Sequence, residues 1–92
     1  MKIGIYFGMM KLVWITDAQI VKDYIMCLTF NDGCRKLYDF APLLDGSNPA
    51  FHPLKERSVF ADIKLDGWTV TWMDGTVDIA PEFLYEQGTL MQ

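Results

Sequence analysis

Asp-Gly pairs at 32–33, 45–46, 66–67 and 74–75 punctuate this 92-residue chain, and no stretch between them reads as a helix long enough for a crossover. Joining two parallel strands takes a dozen or more residues, usually helical. Pro49 and Pro53 stand too close together to bracket a regular helix, and Gly46 closes the one or two helical turns before them. The strands must therefore pair mainly through tight turns. Hairpins with short helices set between them predict an α+β fold with an antiparallel sheet.

The pattern along the chain fits that class. The runs 12–21, 24–30 and 34–39 are rich in β-branched and apolar residues, and Asp17-Ala18 marks a bend or bulge in the first. Lys22-Asp23 is read as the turn between the first two. A two-residue Asp32-Gly33 loop places Leu28 opposite Leu37 and Phe30 opposite Arg35, whereas a three-residue loop places Leu28 opposite Lys36. The first register buries more apolar surface and is the expected one. Asp39 is positioned to cap the turns over 39–46. Phe51 and Leu54 are expected to plug the core, and 56–60 to add one helical turn with Phe60 facing inward. Residues 61–65 read as a strand leading through Asp66-Gly67 into Trp68, Val70 and Trp72, which alternate with Thr69, Thr71 and Met73. After Asp74-Gly75, Pro81 suits the first position of a short helix, Glu82 its first turn and Gly88 its stop.

Composition narrows the class of function. Eight Lys and Arg against twelve Asp and Glu give a net charge of −4, with no basic block. The electrostatic footprint of nucleic-acid binding is missing. Hydrophobic residues make up 51% of the chain, too many for disorder and enough for one modest core. Residues 10–88 form the expected single domain. Residues 1–9 are read as an N-terminal extension or extra strand, with Met9 and Met10 as an alternative translation start. The apolar run 3–10 is too short to span a bilayer, which takes roughly 20 residues. Cys27 and Cys34 would not oppose each other across their hairpin. Two free thiols in a reducing cytosol is the reading that follows. With one histidine and no CxxC pair, no metal site or cofactor is expected.

Asn31-Asp32-Gly33, then Tyr38-Asp39-Phe40 with Pro42-Leu43-Leu44, then Phe60, then the run from Trp72 to Tyr85 occur in a telling order and spacing. Together they resemble a small bacterial family catalogued as domain of unknown function 2442, over roughly residues 10–86. The resemblance implies an α+β domain of hairpins and short helices, like the N-terminal domain of relatives that carry a helix-turn-helix. It also implies a gene beside a second small protein, in an arrangement similar to toxin–antitoxin pairs. Here the chain ends seven residues past Tyr85, which leaves no room for the DNA-binding domain. The family has no agreed catalytic residues, so none is assigned.

The candidate interaction surface comprises Asp39, Trp72, Asp78 and Tyr85. Bland readings compete for each. Asp74 and Asp78 have the spacing that opens a calcium loop, but the glycine is misplaced and the twelfth position is Tyr85. Asp39, Asp78 and Glu82 as paired carboxylates compete with capping and turn roles. His52 lacks a nucleophile at motif spacing, and Arg35 and Lys36 beside Cys34 leave an opening for a reactive thiol. Trp14, Trp68 and Trp72 with four tyrosines exceed what a small core hides, and any left as a surface patch marks an interface.

The expected function is thus a non-enzymatic protein-interaction module of a bacterial cytosol, the antitoxin-like or accessory half of a two-gene system. The expected partner is another small protein, such as the neighbouring gene product, with a homodimer as a further possibility, and neither direct contact with nucleic acid nor a membrane. Two alternatives stand beside it. One is a small ligand-binding protein or enzyme using Asp39, Asp78, His52 or Tyr85. The other is an accessory subunit of a transcriptional regulator.

Overall fold

The computed structural model describes residues 12–91. The expected extension over 1–9 and the start considered at Met9-Met10 lie outside the described residues. In chain order the elements are β1 (Ile15–Lys22), β2 (Ile25–Phe30), β3 (Arg35–Asp39), α1 (Ala41–Leu44), a 3-10 helix (Pro49–Lys55), α2 (Arg57–Ala61), β4 (Lys64–Leu65), β5 (Val70–Trp72), β6 (Val77–Asp78), α3 (Pro81–Gln87) and β7 (Thr89–Leu90). The fold is α+β, and among the described residues every strand pairing is antiparallel. The described residues form two sheets, ordered β1-β2-β3-β7 and β4-β5-β6. Among the described residues no helix is long and apolar enough to cross a membrane.

The first sheet corrects the expected register. Leu28 opposes Lys36 and Thr29 opposes Arg35. The Gly33 amide donates to the Phe30 carbonyl at 2.9 Å, and Gly33 adopts φ +87°. This is the three-residue hairpin, in which a type I turn is followed by a left-handed residue that only glycine takes cheaply. Asn31 belongs to that loop, and its side chain is already committed elsewhere. Its Oδ1 accepts from Trp14 N at 2.8 Å and its Nδ2 donates to Leu12 O at 3.2 Å. In β1 the register slips between Ile15 and Asp17 and again between Ile20 and Lys22, so the irregularities flank the expected bend. Lys22 is the last residue of β1, and Asp23 takes the turn with φ +49°.

The second sheet is shorter than the sequence pattern predicts. Ala61 ends α2, and only Lys64–Leu65 pairs with β5. Trp68 lies outside β5, on a loop shaped by Asp66, whose Oδ1 accepts from Trp68 N at 2.9 Å and Thr69 N at 2.8 Å. Alternation fails in β5 because both of its faces are covered. Val70, Thr71 and Trp72 are all buried. The buried hydroxyls are satisfied: Thr69 Oγ1 donates to Ile79 O and Thr71 Oγ1 to Lys64 O.

One core fills the space between the sheets. Met26, Leu28 and Phe30 from the first sheet meet Val70 and Trp72 from the second, with Phe40, Leu44, Leu54, Phe60 and Leu84 between them. Each such side chain stabilises the fold by roughly 1.5–3 kcal/mol on burial. The segment after Gly46 is a 3-10 helix that contains Pro53, with Asn48 Oδ1 accepting from Ala50 N at its start. It places Leu54 fully inside, with Phe51 packed at the core's margin. Phe60 points inward from α2 as expected.

The Asp66 carboxyl is held below its ordinary value of 3.8 by the amides of Thr69 and then Trp68. The folded state thus prefers the ionised group. Its stabilising effect is complete above the ordinary value and fades as pH falls through the lowered one. Asp66→Asn keeps an oxygen acceptor for the turn. It is expected to flatten the acid limb of stability, measured as the urea midpoint between about pH 2 and about pH 6.

Candidate functional site

The four residues singled out from the sequence do not converge. Trp72 is 1% exposed and contributes no surface. It stacks on Phe60 at 5.8 Å, meets Phe40 edge-on at 5.8 Å, and donates through Nε1 to Phe60 O at 2.8 Å. Asp39 is exposed at the end of β3, where its Oδ1 accepts from Ala41 N at 3.0 Å and leads the chain into α1. The helix cap itself is Phe40. Asp78 is exposed on β6, opposite Thr71. Glu82 is exposed in the first turn of α3. His52 is exposed on the 3-10 helix, with Nε2 3.1 Å from Gly46 O. Among the described residues no group of three or more His, Cys, Asp or Glu gathers as a metal requires.

Tyr85 sits in a cluster of its own between α3 and the β2–β3 hairpin. Its hydroxyl donates to Asp32 Oδ2 at 2.6 Å and lies 3.8 Å from Cys34 Sγ. Lys36 Nζ stands 3.9 Å above its ring and donates to its carbonyl oxygen. The ring meets Phe30 edge-on at 5.0 Å. The result is a clasp that holds α3 against the hairpin. The nearby Tyr38 hydroxyl is pushed up in pKa by burial and then by the Asp39 charge, and its ring packs on Phe40 and Phe83. Cys27 and Cys34 are free thiols.

A different pair of residues makes the most distinctive surface. Trp14 and Trp68 stack with centroids 6.1 Å apart and planes 17° from parallel. Both backbones are fixed. Ile15 N donates to Trp68 O at 2.9 Å, which ties the two sheets together at this point. Asn31 N donates to Trp14 O at 3.0 Å, and the Asp66 carboxylate holds the Trp68 loop. Trp68 remains 39% exposed and Trp14 is partly exposed. Leu12, two residues before Trp14, is 61% exposed, and Leu65, at the start of the Trp68 loop, is 40% exposed. An aromatic face held rigid and left wet is suited to recognition, because little side-chain freedom remains to be lost on docking. The aromatic surplus in the sequence pointed to such a surface. It did not single out these two rings, because the period of two assigned Trp68 to a strand face.

No curated protein and no solved structure matches the chain. A family model described as "Protein of unknown function (DUF2442)" matches residues 15–89, nearly all of the two-sheet domain, and the chain belongs to that family.

Proposed function

We propose that this protein is a non-enzymatic interaction module of a bacterial cytosol, the antitoxin-like or accessory half of a two-gene system. Its partner is the small protein encoded beside it. The observation that carries this reading is the Trp14–Trp68 stack, fixed by backbone bonds yet 39% exposed at Trp68. Large aromatic side chains supply much of the affinity at protein interfaces when anchored rigidly. A net charge of −4 favours a basic partner and faster encounter with it. Co-expression of the tagged chain with its neighbour tests the reading. The neighbour is expected to remain bound through purification, and Trp68→Ala, checked for fold by far-UV circular dichroism, is expected to release it. Retention undiminished by Trp68→Ala, or no retention by the unaltered chain, contradicts the proposal.

A further inference from the structure

Cys27 is only 6% exposed, yet it stands outside the core cluster. It lies on the opposite face of the four-stranded sheet, where Met91 Sδ is 3.5 Å and Arg35 Nη2 3.8 Å from its sulfur. The strand pairings arrange this face in three rows. Asp17 lines up with Thr29 and Arg35, Gln19 with Cys27, Leu37 and then Thr89 of β7, and Lys22 with Ile25 and Asp39. In the middle row Cys27 is buried, Leu37 half-buried and Gln19 exposed. Four exposed charges on β1 and β3 alternate in sign, Asp17 and Arg35 at one end and Lys22 and Asp39 at the other, and β7 continues the sheet beyond β3. None of the four enters an ion pair among the described residues, where the pairs are Lys55–Asp45, Arg57–Asp23 and Lys64–Asp62.

That alternation makes the face complementary to itself. Two sheets packed face to face keep their strands roughly aligned, about 10 Å apart. A half-turn about an axis lying between them and across the strands sets Asp17 over Lys22 of a second copy, and Arg35 over its Asp39. A half-turn about an axis along the strands sets Asp17 over Arg35 and Lys22 over Asp39. Either operation brings only opposite charges together and covers Gln19 and Leu37 with the other copy, around a Cys27 already buried within its own chain. Like charges paired along one edge would satisfy only one of the two. We propose that this sheet face is a twofold interface between two copies of the chain. The face is small, so the dimer belongs to the weak, concentration-dependent class. None of its four charges belongs to the Trp14–Trp68 stack, and its failure leaves that reading untouched.

Sedimentation equilibrium of the full chain, from about 10 µM to about 1 mM, tests this at a range suited to weak interfaces. The unaltered protein is expected to approach twice its 10.6 kDa mass, less readily as salt rises. Asp17 and Lys22 carry no side-chain bond among the described residues, so reversing them spares the fold. Asp17→Lys is expected to weaken association tenfold or more. A second reversal restores it according to the axis. Asp17→Lys with Lys22→Asp restores it for the axis across the strands, and Asp17→Lys with Arg35→Glu for the axis along them. Recovery in one double variant and not the other is the expected result. A chain that stays monomeric, a dimer indifferent to Asp17→Lys, or recovery in neither or both double variants overturns the proposal.

Discussion

Trp72→Ala is expected to destabilise the protein by about 3–5 kcal/mol, the range for truncating a large aromatic in a packed core. Domains of this size hold only about 5–15 kcal/mol in total, so the variant lies at the edge of folding at room temperature. The magnitude follows from what surrounds the ring. Trp72 touches Phe40 and Phe60 on adjoining faces, and those rings also pack on each other at 5.7 Å. Removing the indole opens the middle of this trio, and the segments carrying Phe40, before α1, and Phe60, in α2, cannot both close the gap. Trp72→Phe separates packing from hydrogen bonding. It keeps a ring but leaves the Phe60 carbonyl without the indole N–H, a loss of about 1–3 kcal/mol. Urea denaturation followed by far-UV circular dichroism measures both. A loss below about 1 kcal/mol for Trp72→Ala, the size of an ordinary surface effect, contradicts the core described above.

Gly88→Ala is expected to cost about 1–3 kcal/mol, for overpacking. Replacing glycine at an ordinary backbone angle commonly stabilises a protein by a few tenths of a kcal/mol or more, through the unfolded chain. Gly88 has φ −71°, so its conformation alone permits alanine. Space does not. A Cβ placed there meets Leu84 O at 2.8 Å, Lys36 Cβ at 3.0 Å and Leu37 O at 3.4 Å. Two of the three are backbone oxygens, and the Leu84 oxygen already accepts from Gly88 N at 2.9 Å. Relief requires β7 to move off β3, where Leu37 faces Thr89 and Lys36 faces Leu90. The urea midpoint reports the loss, and amide exchange should quicken at Met91, whose N–H donates to Arg35 O. A stabilised variant with unchanged exchange contradicts this packing.

Much of the fold was legible because turn chemistry is local. Asp-Gly pairs located the hairpins, Pro81 and Glu82 located the start of α3, and Phe60 was read as inward from a single helical turn. The rest depended on contacts distant in sequence. The register of the β2–β3 hairpin turned on Asn31, which joins the loop and ties its side chain to Trp14 and Leu12, 17 and 19 positions away. Trp72 stood among the surface candidates, and its burial follows from Phe40 and Phe60, which the local pattern does not place against it. Gly88 was read as a helix stop, yet its size answers to Lys36 and Leu37 across the chain. The candidate site was legible in kind, as an excess of aromatic residues. The stack of Trp14 on Trp68 was not, since it exists only where the two sheets meet.

That stack carries the functional account, and titration calorimetry of the purified neighbouring gene product into this protein tests it most directly. The account predicts measurable binding by the unaltered chain, and an affinity at least tenfold lower for Trp68→Ala in a fold that circular dichroism shows intact. Absence of binding at any accessible concentration, or equal affinity for the two proteins, would contradict it.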